Sequence, residues 1–308
     1  MGDLGTFSFD QGVGIAGINT LKNEVPTAYE EAGHGVSGSG NSLNGAGNTS
    51  VLGYASPSYG GLSLSIAYHP SVSSTSSQAG GTSGAGETSS NVNYAITYAP
   101  SMIEGLTLAY GSSKTEVMSS ATANDDTEMT MALNYVNGAL SVGYQVSEVQ
   151  SGAAGANGNN VEEFGIAFAV NENLSVSYNQ ADNEDDAPSG SNITEDSSGI
   201  SAAYTMGSAT FGYQISRIEE GKQSGTDENT DAWGIAWNVN DNLSISYGER
   251  TLTYDKPGTD VDEDGEGFAV AYTMGSIKIA GNRNEVTNNA GTAGSNDEMT
   301  EIALSFSF

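Results

Sequence analysis

Short segments in which apolar residues alternate with small or polar ones recur along the whole chain, and this pattern constrains the fold most strongly. Residues 62–68 read Leu-Ser-Leu-Ser-Ile-Ala-Tyr, and residues 174–178 and 243–247 read Leu-Ser-Val-Ser-Tyr and Leu-Ser-Ile-Ser-Tyr. Because successive side chains of a β-strand point to opposite faces, this period predicts strands with one apolar and one small, polar face. No stretch approaches the roughly 18 consecutive apolar residues of a membrane-spanning helix. The chain is therefore predicted to be all-β.

Very short and very long connections alternate between the predicted strands. The short ones contain pairs such as Asn137-Gly138, Asp241-Asn242 and Gly275-Ser276, and these residue types tolerate the positive φ angles of tight hairpins. The long ones are polar and acidic, around residues 70–88, 182–197, 219–231, 255–266 and 285–298. The predicted strand number is about 16: one strand at residues 4–10, two in each of seven tight hairpins, and a final strand at 297–308. An even number of strands lets an antiparallel sheet close into a barrel.

The two faces of these strands cannot both be satisfied in a soluble protein. Only 37% of the residues are hydrophobic, and the Ser, Thr, Gly, Ala and Asn side chains of the second face are too small and polar to build a core. If the apolar face meets lipid and the other face meets water, both are solvated, and closure leaves no unpaired backbone edge in hydrocarbon. This predicts a transmembrane antiparallel β-barrel with short periplasmic turns, long acidic extracellular loops and a lumen too wide for side chains to fill.

The excess of acidic over basic residues limits the kinds of molecule that the protein can bind. The chain has 38 acidic and 8 basic residues, a formal net charge of -30 and no cysteine. Binding of nucleic acid needs clustered Lys and Arg, so this partner class is excluded. In a pore, the same charge would enrich cations at the mouth.

Three stretches carry a resemblance to a known family. The opening Gly5-Thr6-Phe7-Ser8-Phe9-Asp10, the residues 48–68 that begin Asn48-Thr49-Ser50-Val51-Leu52-Gly53-Tyr54, and the final Ala303-Leu304-Ser305-Phe306-Ser307-Phe308 resemble the general trimeric porins of Gram-negative bacteria. The resemblance implies a homotrimer in the bacterial outer membrane, in contact with lipid and lipopolysaccharide, through which small hydrophilic solutes and ions diffuse passively. It also implies that the barrel assembly machinery reads the C-terminal strand with its terminal Phe308.

In that family four strands precede a constriction loop that folds into the lumen, whereas here one predicted strand precedes the corresponding segment. Either about four strands are missing at the N-terminus or this barrel is built differently. Residues 1–308 are predicted to form a single domain, with residues 11–48 as the constriction loop. The alternative for residues 11–48 is an ordinary surface loop.

Candidate pore residues follow from this arrangement. Within residues 11–48, Lys22, Glu24, Glu30 and Glu31 would set the charge preference of the constriction. On the wall, the parity of neighbouring residues directs Arg250 and Lys278 toward the lumen, where they would either oppose the acidic loop or simply be solvated. The family's cluster of wall arginines has no counterpart, because the chain has few arginines.

Metal binding and catalysis have little support. Asp260, Asp262 and Asp264 imitate the start of a calcium loop, but Ala271 stands where such a loop needs a bidentate Glu, so we interpret this segment as a solvated hairpin tip. Calcium or magnesium could bind loosely between the acidic loops, and no other cofactor is expected. The two histidines, His34 and His69, do not have the spacing of metal ligands, and no nucleophile motif is present.

We therefore predict a non-enzymatic, cation-preferring diffusion porin. The alternative from another class is a secreted, acidic, β-rich adhesin or calcium-binding surface protein. Such a protein should show strict short repeats, whereas residues 165–178 recur as residues 234–247, four strands later.

Overall fold

The computed structural model describes residues 4–10, 16–22, 24–29, 43, 45, 51–70, 72–73, 87–88, 90–116, 124–152, 158–186, 193–220, 227–256 and 258–306. Sixteen antiparallel strands of these residues form one sheet, each bonded to the next along the chain. They are β1 (Thr6–Asp10), β2 (Val51–Ala55), β3 (Leu62–His69), β6 (Asn91–Tyr98), β7 (Leu106–Thr115), β8 (Asp126–Asn137), β9 (Leu140–Gln150), β10 (Gly158–Ala169), β11 (Leu174–Asp186), β12 (Ile193–Met206), β13 (Ala209–Glu220), β14 (Asp227–Asn240), β15 (Leu243–Asp255), β16 (Val261–Met274), β17 (Ile277–Thr287) and β18 (Asp297–Phe306). The predicted all-β class and strand number are confirmed.

The remaining elements are small. Strands β4 (Val72–Ser73) and β5 (Glu87–Thr88) pair only with each other, and 3-10 helices span Gly17–Leu21 and Asn289–Gly291. Among the described residues, no helix has the length and apolar content needed to cross a bilayer.

Tight hairpins lie where the sequence predicts them. Gly138, Gly207 and Gly275 have φ angles of 58°, 62° and 62°, and they connect β8 to β9, β12 to β13 and β16 to β17. A side chain is strained at such angles, whereas glycine is not. One end of the sheet therefore carries the short connections.

The strands are longer than the alternation predicted. Residues 255–266 are predicted to be a connection, yet β16 begins at Val261 and β15 continues to Asp255. The register stays regular through this part, with Thr253 opposite Asp262 and Thr251 opposite Asp264. Backbone pairing does not require apolar side chains, so the ladder continues into water after the apolar pattern has ended.

Burial is inverted relative to a soluble protein. On one face, Met131, Phe211 and Ile235 are 51%, 44% and 40% exposed, whereas Thr130 and Gln214 on the other face are 0% and 4% exposed. We call these the apolar face and the small-residue face. The apolar side chains are thus the exposed ones and the small, polar side chains the buried ones, as expected if the apolar face meets lipid.

The described residues form two compact units. The first lies within Met1–Pro26, Ser37–Gly165 and Ala181–Thr194, and the second within Thr27–Val36, Ile166–Gln180 and Glu195–Phe308. The first has a small core in which Leu21 packs among Ala95, Ala109 and Ala132.

Tyrosines mark one boundary of the apolar face. In the first unit, the Tyr144 hydroxyl donates to Glu162 Oε1 at 2.7 Å. In the second, the Tyr213 hydroxyl donates to Asp231 Oδ2 at 2.7 Å, and Tyr247 donates to Glu249 at 2.5 Å. Rings on the apolar side and carboxylates beyond them are what a membrane–water interface favours.

Candidate functional site

The segment that follows β1 lies on the small-residue face of the first unit. The backbone N–H of Gly17 donates to Ser65 Oγ at 2.8 Å, and that of Ile18 donates to Asn93 Oδ1 at 2.9 Å. Ile18 is completely buried. The wall side chains thus bond the orphan N–H groups at the start of the Gly17–Leu21 helix.

Two amides of β8 and β9 hold the next residues of the segment. Gln145 donates from Nε2 to the Leu21 carbonyl at 2.6 Å and accepts from the Glu24 N–H at 3.4 Å. Asn134 donates from Nδ2 to the Glu24 carbonyl at 3.0 Å. Gln145 is 0% exposed, so its bonds to the segment replace those to water.

Glycines in the strands make room for this close approach. A Cβ atom on Gly111 would lie 2.7 Å from Ile18 Cγ1, and one on Gly143 would lie 2.7 Å from the Glu24 carbonyl oxygen. Glycine inside a strand commonly marks a place where another backbone comes close. The wall is therefore shaped for the segment Ala16–Pro26.

Thr27–Tyr29 make equivalent contacts within the second unit. The N–H groups of Ala28 and Tyr29 donate to Ser177 Oγ at 3.0 Å and Ser201 Oγ at 3.1 Å. The Tyr29 ring lies over Gly212, where an added Cβ would be 2.1 Å from its Cδ2 atom. Its hydroxyl is 2.6 Å from the position of a Cβ on Gly234, which faces Gly212 across the strands.

Of the predicted loop residues, Lys22 and Glu24 lie in this segment, while Glu30 and Glu31 are outside the described residues. Lys22 directly follows the 3-10 helix and is partly buried. Burial raises the pKa of the Glu24 carboxyl above its usual range, because desolvation disfavours the charged form. Phe308, the predicted assembly signal, also lies outside the described residues.

Arg250 and Lys278 are on the small-residue face, as their parity predicts. The Arg250 Nη2 atom forms an ion pair with Glu263 Oε1, and the two side chains are 17% and 5% exposed. Lys278 is exposed and faces Thr273 in the register. Arg250 is thus neutralised locally by its neighbour on β16.

Our interpretation of the calcium-like stretch as a hairpin tip is correct for Asp260, which lies in the connection between β15 and β16, and wrong for Asp262 and Asp264. Asp262 and Asp264 lie within β16 and accept hydrogen bonds from Thr253 at 2.7 Å and Thr251 at 2.8 Å, while Asp260 precedes the strand. The strand directs Asp262 and Asp264 to one face and holds them extended, whereas a calcium loop must curl around its ion. In the part of the chain that the structure describes, no three acidic or His side chains group to hold a metal ion.

Sequence reasoning missed the wall residues that hold the segment. In the sequence nothing distinguishes Asn93, Gln145, Ser177 and Ser201 from the other polar residues of the strands. The usable signal was the glycines inside strands, such as Gly111 and Gly212, which lie on the small-residue face away from any turn, since an isolated strand glycine commonly marks a close approach.

Comparisons with known proteins give the family and the fold. A family model described as Gram-negative porin matches residues 2–210, more than half of the chain. Comparison with curated protein sequences gave no match.

Among solved structures, OccK8 (OprE) of Pseudomonas aeruginosa is 12% identical and aligns with a TM-score of 0.57 over 83% of this chain and 79% of that one. OccK5 (OpdH) of the same organism is 12% identical, with a TM-score of 0.57 over 84% and 81%. A bacterial polysaccharide outer membrane secretin is 7% identical, with a TM-score of 0.55 over 87% and 94%. At these identities the likeness shows the fold alone.

The family match thus agrees with the inverted faces, the sixteen strands and the tight hairpins at one end. The chain belongs to the Gram-negative porin family and is a non-enzymatic β-barrel channel of the bacterial outer membrane.

Proposed function

We propose that this channel is a water-filled pore for passive diffusion of small hydrophilic solutes and ions, and that Ala16–Lys22 and Glu24–Pro26 in the first unit and Thr27–Tyr29 in the second each narrow it. The observation that carries the proposal is the bonding of these residues to side chains of the small-residue face. A loop that ran over the surface would leave Gln145 and Asn93 facing solvent, whereas they are 0% exposed and bonded to it. In a barrel of about 16 strands, side chains alone do not fill the lumen, so a bonded segment narrows it.

We further propose a preference for cations. The net charge is -30, and carboxylates lie on the small-residue face of both units. Glu128 accepts from the Gly45 N–H at 2.8 Å in the first unit, and the exposed Glu301 accepts from Asn282 at 3.2 Å in the second. Fixed negative charge along a pore raises the local cation concentration.

Assembly is a separate part of the proposal. The family resemblance supports a homotrimer and recognition of Phe308 by the assembly machinery. Crosslinking of the detergent-extracted protein should give a trimer. Deletion of Phe308 should lower the amount of heat-modifiable barrel in the outer membrane, whereas deletion of Met1 should not.

The deciding experiment is single-channel recording in planar bilayers. We expect stepwise conductance, and in a potassium chloride gradient a reversal potential shifted toward the potassium equilibrium value. The control is the same sample after heat denaturation. Absence of conductance from folded, heat-modifiable protein would reject the pore, and solubility without detergent would favour the secreted adhesin instead.

A further inference from the structure

A second element bends onto the small-residue face, at the end of the second unit that carries the long connections. It is the turn Asn289–Gly291 between β17 and β18. The Ala290 N–H donates to Glu263 Oε2 at 2.7 Å, and Lys256 Nζ donates to the Gly291 carbonyl at 2.5 Å. Gly291 is buried, and an added Cβ there would be 2.8 Å from Tyr254 Cδ2. The turn therefore packs on side chains of β15 and β16 instead of extending away from them.

Glu263 is the centre of these contacts. It is 4% exposed and accepts from Arg250 Nη2, from the Ala290 N–H and, at 3.5 Å, from the Tyr254 hydroxyl. A buried carboxylate is stable only where donors replace its lost water. Because one of the donors belongs to the turn, the position of the turn and the burial of Glu263 depend on each other.

The backbone of the turn is held in an unusual conformation. Asn288 and Ala290 both have φ of 53°, which is uncommon for residues with a side chain and persists where surrounding contacts fix it. Asn288 supplies such contacts, since its Nδ2 donates to the Asp262 carbonyl at 2.8 Å and its Oδ1 accepts from the Gly294 N–H at 2.8 Å. Asn288 thus joins the start of the turn to β16 and closes the loop onto Gly294.

An apolar residue lies on this part of the small-residue face. Leu252 stands between Arg250 and Tyr254 in the strand parity and is 0% exposed. An uncovered Leu would be out of place on a water-facing wall. Its burial is consistent with a small-residue face that is covered by another part of the chain around Leu252.

We propose that the Asn289–Gly291 turn is a second inward-folded element of the pore, which restricts bulky solutes at the long-connection end, and that Glu263 is the residue that positions it. The inference rests on the proposed pore function. The turn would then share with the inward residues 16–22 and 24–29 the limit on the size of the solutes that pass.

The test removes the turn in two ways. In one variant residues 288–296 are replaced by Asn-Gly, and in the other Glu263→Ala removes the positioning carboxylate. The matched control is Asp264→Ala, which removes a carboxylate from the adjacent residue on the opposite face, where it is bonded to Thr251. All proteins are first checked for heat-modifiable folding; if Glu263→Ala does not fold, the excision variant decides alone.

The decisive readout is swelling of protein-containing liposomes in neutral sugars, because it reports size without charge. Both variants should raise the permeability to raffinose by a larger factor than that to glucose, and Asp264→Ala should match the wild type. A second readout places the effect at the turn. Since the chain has no cysteine, Leu252→Cys can be labelled alone with a bulky water-soluble thiol reagent, and labelling should be faster once the turn is excised, whereas Ser246→Cys should label equally in both backgrounds.

If the variant without residues 288–296 folds and its raffinose permeability equals that of the wild type, the inference is overturned. If the wild type passes neither glucose nor ions, the proposed pore function fails instead.

Discussion

Replacement of Gly212 by alanine tests whether the wall of the second unit is shaped to hold the inward segment. The added Cβ would lie 2.1 Å from Tyr29 Cδ2 and 2.6 Å from its Cγ. Carbon atoms normally approach to about 3.5–4.0 Å, so the ring must move by about 1.5 Å. Three ring atoms clash together, and therefore a small rotation of the hydroxyl end does not relieve the overlap.

The expected cost follows from that overlap. Overpacking a well-fitted site typically costs about 1–3 kcal/mol, whereas Gly→Ala at an unobstructed position inside a strand gains about 0.5–1 kcal/mol. Gly265 is such a position on the same face, because its added Cβ would come no closer than 3.7 Å, to the Arg250 side chain. Gly212→Ala should thus be less stable than Gly265→Ala by more than about 1 kcal/mol.

The assay is equilibrium urea unfolding in lipid vesicles, followed by tryptophan fluorescence, together with single-channel conductance. In a Tyr29→Ala background the cost of Gly212→Ala should disappear, since nothing then obstructs the new methyl group. Conductance of Gly212→Ala should rise, because the displaced ring loosens the segment. Equal stability of the Gly212 and Gly265 variants, or the same cost with and without Tyr29, would show that the Tyr29 ring does not pack on Gly212.

Gln145→Leu leaves the Leu21 carbonyl without its donor, so it should destabilise the protein by about 1–3 kcal/mol in urea unfolding, whereas Gln150→Leu at an exposed position should have little effect. Glu24→Gln should flatten the pH dependence of stability, because burial raises the pKa of Glu24 and its ionised form therefore opposes folding at neutral pH. As the pH falls from neutral toward the usual pKa of a glutamate, the unfolding temperature of the wild type should rise by more than that of the variant. Ile245→Lys on the apolar face should cost about 2–4 kcal/mol, while Ser246→Lys should fold normally and shift the reversal potential toward chloride.

For each of these variants, one outcome would contradict the expected effect. Identical urea midpoints for Gln145→Leu and the wild type would show that the segment is not held by this amide. Parallel pH profiles for Glu24→Gln and the wild type would show that the carboxyl is hydrated in the fold. Equal tolerance of lysine at positions 245 and 246 would contradict the assignment of the faces.

The sequence was sufficient for the sheet. The alternation in residues 62–68 and 243–247 specifies strands, because successive side chains of a pleated strand point to opposite faces. Asn137-Gly138 and Gly275-Ser276 specify tight hairpins, because the ability to adopt a positive φ angle depends on the residue type alone. Where the alternation ended, the prediction failed, and β16 extends into the acidic residues 261–266 because the ladder depends on backbone pairing.

The candidate site was only partly predictable. Residue parity placed Arg250 and Lys278 on the correct face, and the long segment after the first strand was expected to narrow the lumen. The partners of that segment were not foreseen, since any Ser, Asn or Gln of the polar face looks equally suitable in the sequence.

Strand, turn and face could thus be predicted, because each depends on one or two neighbouring residues. Tertiary structure decided which residues meet. The Glu24 N–H reaches Gln145, 121 positions away, and Tyr29 reaches Ser201, 172 positions away. The pairing of Glu263 with the Ala290 N–H arises in the same way. Such contacts depend on the register of many strands together, and the polar pattern of a single strand does not encode which partner will lie opposite it.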